Sequence, residues 1–282
     1  MRLYLIIAAT GLIVLIAFLT FKSAYDKSLF VRKNSRAYVG IWLGKDTYVL
    51  SISQNIGQSH MLYFPPEQEV IIPGGLKGYK VGALGKVAHI AEDTKLYKKA
   101  LSQISGLPID EYLYLDTSEV FYAGSEVEDR TIGSITGEVR GALWSLRGTS
   151  LLNKIFLYQK LGNMRGSNTE LYIKLKPDPV GMYDREFRSE KKLVQMIHSN
   201  TLDTAAFLAK LLEGVGIRVS DIGSQPPTEG GGECQVIERG TEQSATARYI
   251  TDYFGCKYKL GDTGLYEVQF ILSKPLVAEW KL

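Results

Sequence analysis

The chain is short of the residues that usually announce chemistry. It has 282 residues with two Cys and three His. His60, His89 and His198 are scattered and show no metal-ligand spacing. Neither a Gly-x-Ser-x-Gly elbow nor a Walker phosphate loop is present. Those absences exclude the commonest hydrolase and nucleotidase signatures. Charge of one sign is also lacking: the net charge is +3. That is too weak for nucleic acid, which calls for a concentrated Lys/Arg stripe. No internal repeat is visible. Composition is that of a globular chain, 45% hydrophobic and 22% charged.

What is present begins with a long apolar run. Residues 3–21, LYLIIAATGLIVLIAFLTF, carry no charge. As a helix they would extend roughly 28 Å, near the thickness of a bilayer's hydrocarbon core. The residues that follow, Lys22-Ser23-Ala24-Tyr25, make a poor cleavage site. The run therefore predicts an uncleaved transmembrane anchor over 1–22 and a single-pass membrane protein. Lys22, Lys27, Arg32, Lys33 and Arg36 on its C-terminal side would put the body in the cytoplasm by the positive-inside rule. A lone N-terminal anchor instead commonly exports its body, and an extracytoplasmic body is the expectation taken here.

A charged stalk, 23–36, leads to three strand-like runs at 37–44, 47–53 and 60–65, rich in β-branched and aromatic residues. Periodicity predicts a helix over 83–104, closed by Gly106-Leu107-Pro108. A strand follows at 111–116, then helix over 136–161 interrupted at Gly141 and Gly148, and a strand at 170–176. Residues 177–192 carry prolines and charge without period, and read as a linker. Beyond it come two strand–helix–strand units: 193–198, 202–214 and 217–222, with Asn200 or Thr201 as a helix cap, then CQVIER, EQSATARYITDYF and CKYKL. A last strand lies at 266–273. The fold class expected is α/β, with a body domain over 37–176 and a small α/β domain over 193–282.

Cys234 and Cys256 each open a strand flanking the helix of the second unit. If those strands pair in parallel, the two lie within disulfide reach. The alternative is two half-buried thiols on strands that are not neighbours. The bridge is the expectation.

The segments LVQMIHSNTLDTAAFLAKLLEGVGIRVSDIG, CQVIERGTEQSATARYITDYFG and YEVQFILS resemble the LytR cell-envelope-related C-terminal domain. Upstream, KDTYVLSI, FPPEQEVIIPG, GYKVGAL and GLPIDEYLYLD are similar, in order and rough spacing, to the motifs of the LytR–CpsA–Psr catalytic domain. That resemblance implies a phosphotransferase moving a glycopolymer from a polyprenyl-pyrophosphate lipid to the cell wall, with Mg²⁺ or Mn²⁺. It would make Asp46 the metal-holding residue and Lys80 the helix-opening lysine, with Arg140 and Arg147 available to face the pyrophosphate. The sequence departs from the motif where it matters: Pro66 stands at the arginine position and Glu67 at the following aspartate.

No catalytic residue is therefore assigned. Asp46 is open between hairpin turn and metal ligand, and Lys80 between a solvated turn residue and an anion ligand. The function expected is that of a membrane-anchored, exported protein of envelope or wall-polymer assembly, a binding or scaffold pseudoenzyme. Its partners would be the membrane, a polyprenyl-pyrophosphate lipid, a wall polymer or an envelope protein. An active transferase is the alternative.

Overall fold

The computed structural model describes residues 2–26, 28–30, 36–53, 59–73, 76–115, 131–146, 148–164, 170–173, 182–183, 185–199, 201–225 and 232–281. The first element, α1 (Arg2–Asp26), covers the expected anchor. Among the described residues, however, no helix is long and apolar enough to cross a membrane. The expected N-terminal transmembrane helix is corrected on this ground. So is the single-pass membrane localisation with an extracytoplasmic body that followed from it.

The body is a mixed sheet in the order β6-β1-β2-β3-β7. Its strands are β1 (Arg36–Leu43), β2 (Asp46–Ser53), β3 (His60–Phe64), β6 (Glu111–Leu115) and β7 (Glu170–Ile173). β1, β2 and β3 form an antiparallel meander, while β6 joins β1 and β7 joins β3 in parallel. The central strands are buried almost throughout, as their near-continuous apolar sequence requires when both faces are covered. On one face Val39, Ile41, Leu43, Tyr48 and Leu50 pack with helices α4 (Ile132–Ala142) and α5 (Leu151–Met164). On the other, Trp42, Val49, Leu62 and Phe64 meet α2 (Leu84–Ile90) and α3 (Thr94–Ser105).

Sequence periodicity merged α2 and α3 into one helix. Ala91–Asp93 interrupt it: Glu92 has φ 53°, and the Asp93 carboxylate accepts the Lys95 N–H at 2.9 Å as a new N-cap. Within the stretch read as a linker, α6 (Arg185–Glu190) is helical.

The second sheet has the order β11-β10-β12-β8-β9. β8 (Leu193–His198), α7 (Leu202–Gly214) and β9 (Arg218–Ser224) form one parallel unit; β10 (Gln235–Glu238), α8 (Ala245–Phe254) and β11 (Lys257–Leu260) form the other. β12 (Val268–Ile271) lies between them, parallel to β8 and antiparallel to β10. Cys234 and Cys256 are joined by a disulfide, their Cα atoms 4.8 Å apart at the start of the parallel β10 and β11. A short closing helix, α9 (Lys274–Trp280), was not foreseen.

The helices of both units share one core. A single apolar cluster runs from Trp42 and Leu101 through Leu107 and Leu212 to Phe270. At its centre the last residue of α7, Gly214, lies against the carbonyl of Gly106, the left-handed cap of α3. A Cβ built on Gly214 would sit 2.1 Å from that oxygen. Lys99 on α3 adds an ion pair of 3.0 Å to Glu279 on α9.

Gly214→Ala is therefore expected to destabilise the protein by about 1–3 kcal/mol, because backbone must yield on both sides. Gly141→Ala, with nothing within 4 Å of the added carbon, should be neutral or stabilising by up to ~1 kcal/mol. Urea unfolding of the two variants checks this; equal effects would contradict the close contact.

Candidate functional site

The stretch 64–84 forms a hairpin where the sequence suggested a phosphate loop. β4 (Glu69–Ile72) pairs antiparallel with β5 (Leu76–Lys80). Pro66, at the expected arginine position, accepts the Gly82 N–H on its carbonyl at 2.9 Å. A Cβ on Gly82 would fall 2.7 Å from the Pro66 ring. Proline here fixes the turn that seats the hairpin against the sheet. Lys80 ends β5 and is 61% exposed, paired with Glu67. That hydrogen bond and charge hold the Lys80 ammonium above its ordinary pKa and the Glu67 carboxyl below its own.

Asp46 lies on the opposite side of the sheet. It pairs across the hairpin with Leu43, which belongs to the α4/α5 core. The alternation of β2 puts Asp46 with Tyr48 and Leu50. Thr47 faces the other way, its hydroxyl towards the Val81 carbonyl at 3.5 Å. Asp46 is only 2% exposed. Arg140 is on the α4/α5 side as well, but its guanidinium is stacked 3.9 Å from the centre of the Tyr158 ring on α5. Arg147 lies outside the described residues, as do Gly74, Gly75 and Asn200.

The described residues thus do not gather Asp46, Lys80 and Arg140 around one cleft. No group of three or more His, Cys, Asp or Glu positioned to hold a metal occurs among them. Asp46 alone does not fit the Mg²⁺ or Mn²⁺ site of a transferase, and no step through a metal is derived.

A cleft does exist in the second sheet. It has a volume of about 710 Å³ and opens where β8 and β12, parallel neighbours, end. After β8 the chain enters α7; after β12 it enters α9. Ligands of open α/β sheets bind at such carboxyl ends, where neighbouring strands part. His198 and Thr201–Thr204 line one wall, Ser273, Lys274, Val277, Ala278 and Lys281 another, and Glu233 and Gln235 close it.

Its polar groups are unusually open. The Thr201 N–H donates to His198 Nδ1 at 3.2 Å, which fixes the His198 proton on Nε2 in the neutral ring. Thr201 stands at the cap position of α7, yet its hydroxyl makes no capping bond and is buried without a partner among the described residues. The other two helices of this sheet's connections are capped: α8 by Ser244 and by Glu190, which accepts the Ala245 and Thr246 N–H groups at 2.7 and 2.9 Å, and α9 by Ser273. Glu233 is answered by Lys257 at 2.8 Å. The remaining charges on the walls are Lys274, Lys281 and Asp203.

Sequence reasoning missed this site. His198 was weighed only for metal spacing, and α9 was overlooked although Ser273 followed by Pro275 is a helix-start pattern. Comparison of the chain with family models, curated proteins and solved structures finds no match to any of them. The LytR–CpsA–Psr resemblance rests on the quoted motifs alone.

Asp46→Ala should lower the melting temperature, since it deprives the group that meets the buried carboxylate of its partner, at a cost of about 1–3 kcal/mol. Lys80→Ala should leave the melting temperature nearly unchanged, because its partner is exposed and both ions can be rehydrated. Calorimetry of both variants tests the placement, and a large loss from Lys80→Ala would refute it.

Proposed function

We propose that the protein is a binding or scaffold protein of envelope or wall-polymer assembly that has lost transferase activity, and that it meets its ligand in the cleft between α7 and α9. The observation that carries the reading is the dispersal of the transfer residues. Asp46 is buried on one side of the first sheet, Lys80 is tied to Glu67 on the other, and Arg140 is stacked on Tyr158. Phosphoryl transfer requires such groups to converge on one pyrophosphate. The cleft supplies what a binding role needs: a concave volume within the range of small-molecule sites, with apolar Val277 and Ala278 beside hydroxyl, amide and ammonium groups. The Cys234–Cys256 bridge adds support, since disulfides persist where thiols are kept oxidised.

Two assays on the full chain test this. Incubated with a polyprenyl-pyrophosphate-linked glycan and Mg²⁺ or Mn²⁺, the protein should transfer nothing and release no pyrophosphate-derived product. Purified wall glycopolymer should bind, and Ala278→Trp, which fills the cleft from an exposed helix position, should weaken that binding ~10-fold or more. Metal-dependent transfer abolished by Asp46→Ala would sink the reading, as would polymer binding indifferent to Ala278→Trp.

A further inference from the structure

The start of α7 is built as a donor cradle. Its first three N–H groups, those of Leu202, Asp203 and Thr204, have no acceptor in the preceding turn. Thr201, which ordinarily would take one, leaves its hydroxyl without a partner among the described residues. A helix of 13 residues carries a positive potential at this end.

The helix end does not stand alone. Thr204 is 4% exposed and lines the cleft, and its hydroxyl has no hydrogen-bond partner among the described residues. His198, 7% exposed, also lines the cleft. Its Nδ1 is committed to Thr201, so Nε2–H is left as a donor. A polar group buried unpaired, as the Thr201 hydroxyl is among the described residues, is costly unless something outside the chain satisfies it. Lys274 and Lys281, on the facing wall, bring two positive charges against the carboxylates of Asp203 and Glu233, the second of them paired with Lys257 at 2.8 Å.

We infer that this cradle takes the phosphate group of a polyhydroxylated ligand, a sugar phosphate or a phosphate-bearing stretch of glycopolymer. The inference rests on the binding role proposed above and deepens it. A phosphate fits better than a carboxylate because donors come from the α7 backbone, from Thr201 and Thr204, from His198 and from the lysines across the cleft. A tetrahedral phosphate monoester offers three acceptor oxygens to such a set, a planar carboxylate two. The sugar hydroxyls would meet Ser199 and Gln235, whose groups both donate and accept. Asp203 repels the anion and sets a ceiling on affinity.

The test is calorimetric titration of the full chain with three probes: inorganic phosphate, glucose 1-phosphate and glucose. Glucose 1-phosphate should bind most tightly, with Kd in the ~0.1–1 mM range, inorganic phosphate more weakly and glucose not measurably. The order separates a phosphosugar ligand from free phosphate. Thr204→Val, nearly the same shape, should raise Kd for glucose 1-phosphate ~10-fold, and Lys274→Ala should raise it several-fold and flatten its salt dependence. Asp203→Asn should lower Kd, a sign that no folding defect would produce. Unchanged melting temperatures of Thr204→Val and Lys274→Ala separate ligand loss from misfolding. Absence of heat with both phosphate probes overturns the inference, and so does glucose binding as well as glucose 1-phosphate. If glycopolymer still binds and still depends on Ala278 in that case, the binding role stands and only the phosphate assignment fails.

Discussion

The contact between Gly214 and the Gly106 carbonyl holds the molecule together in the sense that matters for the cleft. It lets the last turn of α7 press on the cap of α3, so two sheets share the helices between them and one apolar core. Any side chain at 214 would push the helices apart, and the core from Leu107 to Leu212 would open with them. α7 is thereby fixed at its C-terminal end. Its N-terminal end lies about 20 Å away along the helix axis, at the mouth of the cleft. Tertiary packing stabilises the helix from one end and leaves the other free of the usual cap.

That arrangement explains why an uncapped helix start is tolerated. A side-chain N-cap is typically worth about 1 kcal/mol, and α8 receives a double one from Ser244 and Glu190. α7 buries Ala205, Leu208, Ala209, Leu211 and Leu212, and burial of each large apolar side chain contributes about 1.5–3 kcal/mol. The packing term exceeds the missing cap severalfold. The fold can therefore leave donors at Leu202–Thr204 available without losing the helix. His198 contributes to the same end by accepting the Thr201 N–H, which holds the β8–α7 turn while Thr201 itself caps nothing.

The legible parts of the fold were those whose signal is periodic and local. Strands β1–β3 stood out as apolar runs because both of their faces are buried. α7 and α8 stood out by their spacing, and the pairing of Cys234 with Cys256 followed from parallel strands that start level. The errors had a different cause. β4 and β5 were hidden because proline and glycine dominate 64–84, and a hairpin seated by Pro66 and Gly82 has the same composition as a phosphate loop. The site was missed because it depends on which strands become neighbours. Nothing local to His198 or Lys274 says that β12 inserts beside β8, and only that insertion makes their loops face each other. The apolar run of α1 misled in another way: hydropathy over residues 3–21 predicts a span, whereas among the described residues no helix is long and apolar enough to cross a membrane.

The two ends of the chain's chemistry are then physically unlike. Around the first sheet two cations already have neighbours of their own: Lys80 pairs with Glu67, and Arg140 stacks on the face of Tyr158. A cation engaged in this way must give up an existing contact before it can serve a phosphoryl group, and each such exchange lowers the net gain from the ligand. The cleft of the second sheet holds a hydroxyl with no such neighbour. The Thr201 hydroxyl is desolvated by folding without a partner among the described residues, so the cost of removing water there has already been met before any ligand arrives. A ligand that completes that hydrogen bond recovers most of its strength. Lys80 and Arg140 would have to exchange existing contacts for a ligand, whereas the Thr201 hydroxyl would not, and that difference in prior commitment favours the cleft of the second sheet over the hairpin at 64–84 as the place of the proposed recognition.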